Sequence, residues 1–292
     1  MNNFYYFSAR LLEESLIRTR LPNIHCFDIV GGKPKSNSKI LDFTTRPPTP
    51  VPEELLGIVI FSILDSIIDI DNPQVEGCSF KARYDSLSSN DEQGIIFKEV
   101  YRVMKLIRNA MVHNRKNISK NNGEFSILYQ NRGTDFHLKC SVGSIRELYN
   151  LSRVIIDHVD VEDRYFKLVL TELYNRFMSG VTVFTDEISS SLQAVRKNED
   201  FFFYERYRYS IDIKDIENRD GSLFLNRCND KYHHFIESEN KEVIYENCDE
   251  YFILDNENRY LVPGHILSEH GALPLESLNE WKLGNRYFGG QG

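Results

Sequence analysis

Residues 95–113 read IIFKEVYRVMKLIRNAMVH, a stretch in which apolar side chains recur every three or four positions. At about 100° per residue, that spacing gathers the apolar side chains on one face of a helix and polar, mostly cationic ones on the other. The apolar face comprises Ile96, Val100, Val103, Ile107, Ala110 and Met111, and the opposite face comprises Lys98, Arg102, Lys105, Asn109 and His113. The pattern predicts an amphipathic helix over residues 91–113, with Ser89, Asn90 or Asp91 as N-cap.

Further helices are predicted on both sides of this one. Residues 55–70 form a mostly apolar run that is interrupted by Asp65. The run is shorter than the roughly 20 apolar residues that a helix needs to cross a bilayer. It therefore predicts a central helix of a bundle rather than a membrane span. Helical patterns also cover residues 4–20, 144–160 and 162–197, the last with an interruption near Gly180.

Two kinds of segment do not have helical periodicity. Residues 124–129 and 135–140 alternate in polarity around Asn131-Arg132-Gly133, which predicts a β-hairpin. Residues 22–52 hold six of the nine prolines and predict a loop or an extended arm, because proline supplies no N–H for a helix or a sheet.

Beyond residue 198 the sequence changes to short β-like runs between Asn, Asp and Gly turns, namely residues 204–213, 222–225, 243–245 and 251–254. We therefore predict a mainly α fold with two domains. The first, residues 1–198, is a helical bundle with a β-hairpin, built on a core of residues 53–197 and the proline-rich arm 22–52. The second, residues 199–292, is a smaller α+β domain.

The charge of the chain is unevenly distributed. The formal net charge of -8 argues against a protein that coats nucleic acid over its whole surface. Residues 98–153, however, hold 11 basic and 4 acidic side chains, a balance of +7, whereas residues 212–259 hold 6 basic and 13 acidic ones, a balance of -7. A nucleic-acid partner is therefore expected at the basic region only.

The cysteines and the N-terminus predict the environment of the protein. Five scattered cysteines form no CxxC pair, which indicates neither a disulfide framework nor a zinc ribbon, so we expect no metal and no cofactor. The first ten residues have no basic segment ahead of an apolar one, unlike a secretory signal. The chain is therefore expected to be cytoplasmic, with no membrane partner.

Arg108, Asn109 and His113 are the residues with the clearest chemistry. Arg can bind a phosphate through two N–H groups, an amide can position it, and His can move a proton near neutral pH. In a helix Arg108 and His113 lie about 140° apart around the axis and about 7.5 Å along it. That separation is large for joint work on one phosphate, but two copies related by a twofold axis could close a site together.

The segment Arg108-Asn109-Ala-Met-Val-His113 resembles the Arg, polar residue, His motif of the HEPN superfamily, and the resemblance covers residues 53–160. It implies a small helical bundle that dimerises, and a metal-independent endoribonuclease of the kind found in toxin–antitoxin, abortive-infection and CRISPR systems. By position, Arg108 and His113 become the catalytic pair and Asn109 the supporting residue. RNA is the implied substrate, and an antitoxin or regulatory protein is a further implied partner. We expect Arg102, Lys105, Arg115 and Lys116 to guide the RNA backbone.

Other interpretations of these residues remain. The same Arg-to-His spacing recurs at Arg132 to His137 and at Arg153 to His158, so the spacing by itself has little specificity. A bundle that only binds a nucleotide or a protein, without catalysis, is the alternative function. Arg108 and His113 could also serve only as favourable cations at a helix C-terminus. Residues 201–209, FFFYERYRY, could stack on bases, although a strand with two faces is the simpler interpretation.

Overall fold

A computed structural model describes residues 22–30, 33–36, 53–113, 115–157, 164–197, 201–225 and 248–284. The chain divides into two compact units. Unit 1 comprises Met1–Arg20, Arg46–Val159 and Leu170–Lys197, and unit 2 comprises Leu21–Thr45, Asp160–Val169 and Asn198–Gly292. The described residues contain three β-sheets beside the helices, so the class is α+β and the prediction of a mainly helical bundle is wrong.

The described residues form the helices α1 (Glu53–Asp71), α2 (Phe80–Ser86), α3 (Glu92–His113), α4 (Val142–Asp157) and α5 (Arg164–Ser179). The helices predicted over residues 55–70, 91–113 and 144–160 are confirmed as α1, α3 and α4, and α5 confirms the first part of the one predicted over 162–197, whereas α2 was not predicted. Helix α1 packs along α3, and a Cβ on Gly57 would lie 2.9 Å from Ile107 Cγ2 and from Met111 Sδ, so this position has no room for a side chain. None of the described helices is both long and apolar enough to cross a membrane. The helix predicted over residues 4–20 lies outside the described residues.

Unit 1 also contains a four-stranded antiparallel sheet. Its strands are β3 (Ile118–Asn121), β4 (Glu124–Asn131), β5 (Thr134–Ser141) and β6 (Val181–Thr185), in the order β3-β4-β5-β6. The predicted hairpin is confirmed, since β4 and β5 pair from Glu124–Ser141 to Asn131–Thr134. Alternate side chains of the two strands are buried and pack toward α3 and α4: Phe125, Ile127, Tyr129, Phe136, Leu138 and Cys140.

Strand β6 was not predicted. The helical pattern was expected to run to residue 197, but α5 ends at Ser179 and the β-branched run after Gly180 pairs with β5. A Cβ on Gly180 would lie 2.1 Å from Ser144 Oγ and 2.6 Å from Ser141 Oγ, so glycine is required where the chain passes those side chains. The prediction was wrong because a pairing with a strand some 40 residues earlier leaves no local periodicity.

Unit 2 is built on a five-stranded mixed sheet of β1 (Asn23–Val30), β2 (Lys33–Ser36), β7 (Glu205–Asp212), β10 (Asp249–Asp255) and β11 (Asn258–Pro263). The strand order is β11-β10-β7-β1-β2, and β7 pairs in parallel with β1 and β10. A three-stranded antiparallel sheet contains β8 (Glu217–Arg219), β9 (Ser222–Phe224) and β12 (Ala272–Pro274). The predicted β runs over residues 204–213, 222–225 and 251–254 are therefore confirmed, and the run at 243–245 lies outside the described residues.

The predicted proline-rich arm is wrong at its beginning. Residues 23–30 and 33–36 form β1 and β2, and β1 lies inside the sheet of unit 2. Among the described residues β2 is an edge strand of that sheet, and edge strands are where proline is tolerated, as at Pro34. Residues 37–52 lie outside the described residues. One break between the units lies at Lys197 and Asn198, and unit 2 also takes segments from the residues of the predicted first domain.

Glu250 on β10 forms the buried polar centre of unit 2. Its carboxylate accepts hydrogen bonds from Arg206 Nε at 2.8 Å, Arg208 Nε at 2.6 Å and Tyr165 Oη at 2.7 Å. Burial alone would raise the pKa of Glu250, but the charges of Arg208 and Arg206 and these hydrogen bonds outweigh it and lower the pKa to about 2. Most of the aromatic and basic run over residues 201–209 is buried, and residues 205–209 lie in β7, which confirms the simpler interpretation for that part of the run.

Candidate functional site

Helix α3 carries every residue of the predicted catalytic motif in its last two turns. Its predicted apolar face is buried throughout, against α1 and the sheet of unit 1. That burial fixes the rotation of the helix about its axis, and so fixes where the motif points. Arg108 and Asn109 are half-buried and His113, the last residue of the helix, is exposed.

Arg102 does not lie on an exposed cationic face, and its predicted contact with RNA is contradicted by its burial. Its side chain has 0% exposure, and Nε and Nη2 each donate to the Asp186 carboxylate at 2.6 Å. Nη1 donates to Glu99 at 3.2 Å and Nη2 also donates to the Ser190 carbonyl at 2.7 Å. Burial alone would lower the pKa of Arg102, but the Asp186 carboxylate outweighs it and raises the pKa. The segment after β6 covers this side of α3, which the periodicity of α3 could not show.

Lys105 lies one turn further along α3, and its ammonium group is already engaged in contacts within unit 1. It pairs with Glu187, and Nζ lies 4.6 Å from the centre of the Phe80 ring and 5.0 Å from that of Phe136. Its side chain is only 13% exposed. Of the four residues predicted to guide RNA, Arg115 and Lys116 are the exposed ones, in a 3₁₀ turn directly after the motif.

Asn109 connects Arg108 to a cleft. Its Oδ1 accepts a hydrogen bond from Arg108 Nη1 at 2.9 Å. Because a carbonyl oxygen serves Arg108, the Nδ2 amide of Asn109 faces away from the guanidinium. This hydrogen bond sets the direction of the Arg108 side chain. Because a guanidinium has five N–H donors, Arg108 can keep its bond to Asn109 and still donate to a phosphate.

The cleft has a volume of about 410 Å³ and is lined by Asn109, His113, Tyr129, Gln130 and Asn131. Two members of the predicted motif therefore share it with the end of strand β4. Arg108 is held beside the cleft by Asn109. Gln130 and Asn131 are exposed, and Gln130 Nε2 donates to Asp135 Oδ1 at 3.0 Å across the hairpin.

Tyr129 is the buried member of the lining. Its side chain is 6% exposed, and its ring stacks on Phe136 with centroids 4.8 Å apart and planes 6° from parallel. Among the described residues its hydroxyl has no hydrogen-bond partner of acceptable geometry. Burial raises the pKa of Tyr129 to about 12, with a further increase from the Glu187 charge, while the approach of the Asn109 side chain lowers it without reaching hydrogen-bond geometry. The group is a neutral phenol at physiological pH.

Tyr129, Gln130 and Asn131 were not predicted as site residues. The alternation of β4 placed Tyr129 on the buried face, and nothing in that pattern separates a core tyrosine from one that reaches a cleft. Only the pairing of β4 and β5 beside the end of α3 brings these side chains to Asn109 and His113.

The pair Arg132 and His137 does not form this arrangement. Arg132 lies in the turn of the hairpin with a φ of +50°, and His137 lies opposite Leu128 on the outward face of the sheet. His158 lies outside the described residues. His113 of the first pair lines the cleft, and Arg108 is held beside it by Asn109.

The described residues contain no group of three or more His, Cys, Asp or Glu side chains placed to hold a metal ion. Comparison of the chain with protein-family models, curated proteins and solved structures finds no match. The support for a function comes from the chemistry of the cleft and of the motif beside it.

Proposed function

We propose that this chain is a metal-independent endoribonuclease whose active site is the cleft at the end of α3. The observation that carries the proposal is that Asn109 and His113 line one cleft while Asn109 holds the Arg108 guanidinium. A phosphate-binding cation, an amide and a proton-transfer group are thereby gathered at one place. The resemblance to the HEPN superfamily agrees with this chemistry, and a role in a toxin or in antiviral defence remains a prediction from it.

The reaction needs one nucleophile, which RNA supplies itself. The ribose 2′-oxygen attacks the adjacent phosphorus, the bond from phosphorus to the 5′-oxygen breaks, and a cyclic 2′,3′-phosphate and a free 5′-hydroxyl result. His113 takes the proton of the 2′-hydroxyl or gives one to the leaving 5′-oxygen. Arg108 donates N–H groups to the phosphate oxygens, whose negative charge grows in the transition state.

In-line displacement places the entering and leaving oxygens on opposite sides of phosphorus, and one imidazole is poorly placed to serve both. A second copy of the chain would supply the second His113 and complete the site, as a twofold arrangement allows. The C-terminal end of α3 carries partial negative charge, which disfavours a phosphate there. Cations are therefore needed at this end, and Arg108, Arg115 and Lys116 provide them.

The test compares purified wild type with Arg108→Ala and His113→Ala on a labelled single-stranded RNA in EDTA. Each substitution is expected to slow cleavage by about 10²-fold or more, because it removes charge stabilisation or proton transfer from the transition state. Products should carry cyclic phosphate ends, and the matching DNA strand should remain intact because it lacks the 2′-hydroxyl.

Arg132→Ala and His137→Ala are the matched controls, since they remove the same residue types at the same spacing from the hairpin of unit 1. They are expected to leave the rate unchanged. Cleavage that stops in EDTA, or that persists in His113→Ala, would contradict the mechanism. A folded wild type that binds RNA or nucleotide without cleaving it would favour the non-catalytic scaffold. Light scattering reports whether the active form is a dimer.

A further inference from the structure

The cleft contains more polar groups than the cleavage step uses. Tyr129, Gln130 and Asn131 have no part in moving the proton or in stabilising the phosphate, yet they line the same cleft as His113. A buried hydroxyl without a partner among the described residues is costly, because desolvation removes its bonds to water without replacing them. A ligand that enters the cleft and bonds to the hydroxyl removes that cost.

We propose, resting on the ribonuclease function above, that this cleft selects the base of the nucleotide beside the cleaved phosphate, and that the Tyr129 hydroxyl reads its edge. The lining residues contributed by β4 are a phenol and two amides, all uncharged. Such groups both donate and accept hydrogen bonds, which suits the mixed donor and acceptor edge of an unpaired base.

The charges around Tyr129 favour a base over a phosphate at this position. The Glu187 and Asp186 carboxylates act on the Tyr129 hydroxyl with negative charge, which disfavours an anion there. The phosphate is accommodated instead at the other side of Asn109, where Arg108 lies. Asn109 thus separates a cationic position for the phosphate from a neutral position for the base.

The hydroxyl is also held in place. Its ring stacks on Phe136, which in turn lies under Lys105, so the direction of the phenol is fixed before a ligand arrives. A fixed and otherwise unsatisfied group discriminates well, since a base that cannot bond to it leaves a buried polar atom unpaired. A cleft of about 410 Å³ lies within the range of pockets that take small ligands.

The experiment measures binding of the 3′-monophosphates of adenosine, cytidine, guanosine and uridine by calorimetry in EDTA. Wild type is expected to prefer one of the four by about tenfold, the value of one added hydrogen bond to a buried group. Tyr129→Phe should lose about tenfold affinity for that nucleotide and little for the others. Its ring is retained, so the stack on Phe136 survives.

Tyr174→Phe is the matched control, because it removes another largely buried hydroxyl of unit 1, which donates to the Gln193 carbonyl at 2.7 Å. It should leave the preference unchanged. Asn131→Ala is a second variant at an exposed lining position that cannot disturb the core, and it should weaken the preferred nucleotide as well.

Equal binding of all four nucleotides, no binding of any, or a Tyr129→Phe variant that keeps the wild-type preference overturns the proposal. The two functions fail separately in this design. A preference that depends on Tyr129 in a protein that never cleaves RNA refutes the ribonuclease alone. Cleavage that depends on His113 without any preference among bases refutes the base-selecting cleft alone.

Discussion

Replacing Asp186 with alanine is expected to destabilise unit 1 more than any surface change near the site. The carboxylate accepts two hydrogen bonds of 2.6 Å from Arg102, and the two side chains are 2% and 0% exposed. Solvent therefore does not screen the pair, and removing one partner leaves a buried charge. Such a loss costs about 3–5 kcal/mol, and because Arg102 keeps its pair with Glu99, we expect the lower value, about 3 kcal/mol.

The assay is urea unfolding followed by far-UV circular dichroism. A loss of about 3 kcal/mol should lower the urea midpoint by about 1–2 M at unchanged slope. Asp85→Ala is the matched control, since it breaks an ion pair with Lys81 whose side chains are 54% and 74% exposed. That change should cost only about 0.5 kcal/mol. An Asp186→Ala midpoint equal to that of Asp85→Ala would falsify the argument that the buried pair holds α3 in place.

The double variant Asp186→Ala with Arg102→Met separates the charge from the packing. Removing both partners also removes the unpaired cation, so the double variant should be more stable than Asp186→Ala alone. Burial already raises the pKa of Glu99, and loss of Arg102 removes the charge that opposes it. A carboxyl group such as Glu99, whose pKa is raised in the folded state, stabilises the fold at low pH, and this contribution is lost as pH rises. The gain in stability of the double variant over Asp186→Ala should therefore be larger in mild acid than at neutral pH.

Two further predictions concern the scaffold. The pKa of Glu250 is about 2 in the folded state against an ordinary 4.5, so its carboxylate contributes about 3 kcal/mol above pH 4.5 that is lost as pH falls toward 2. Trp281 is the single tryptophan of the chain and part of unit 2, so its fluorescence should report acid unfolding. Glu250→Gln should lower the stability at neutral pH and make it depend less on pH. Identical unfolding curves for the wild type and the variant would contradict this role of Glu250. Gly57→Val should destabilise unit 1 by about 2 kcal/mol in thermal unfolding, because its side chain meets Ile107 and Met111, and an unchanged melting temperature would show that α1 and α3 can separate at no cost.

Much of the local structure could be predicted from residue patterns. Helices α3 and α4 have a periodicity of 3.6, the β4–β5 hairpin has one of 2, and α1 is a long apolar run. These patterns arise within each segment, so the approximate position and type of each element can be predicted without knowledge of its neighbours. The apolar face of α3 could also be predicted, since its six apolar side chains at helical spacing all lie on the same side of the helix. The fold class could not be predicted, because β6 and β1 form only by pairing with strands that are distant in the sequence.

The candidate site divides in the same way. Sequence alone determined that Arg108, Asn109 and His113 follow one another on the last turns of an amphipathic helix, because spacing along a helix fixes relative position. Tertiary structure decided which cations remain available, since the Asp186 segment buries Arg102 and Glu187 pairs with Lys105. It also placed Tyr129 in the lining of the cleft with Asn109, because only the register of the hairpin against α3 determines which inward-facing tyrosine meets the motif.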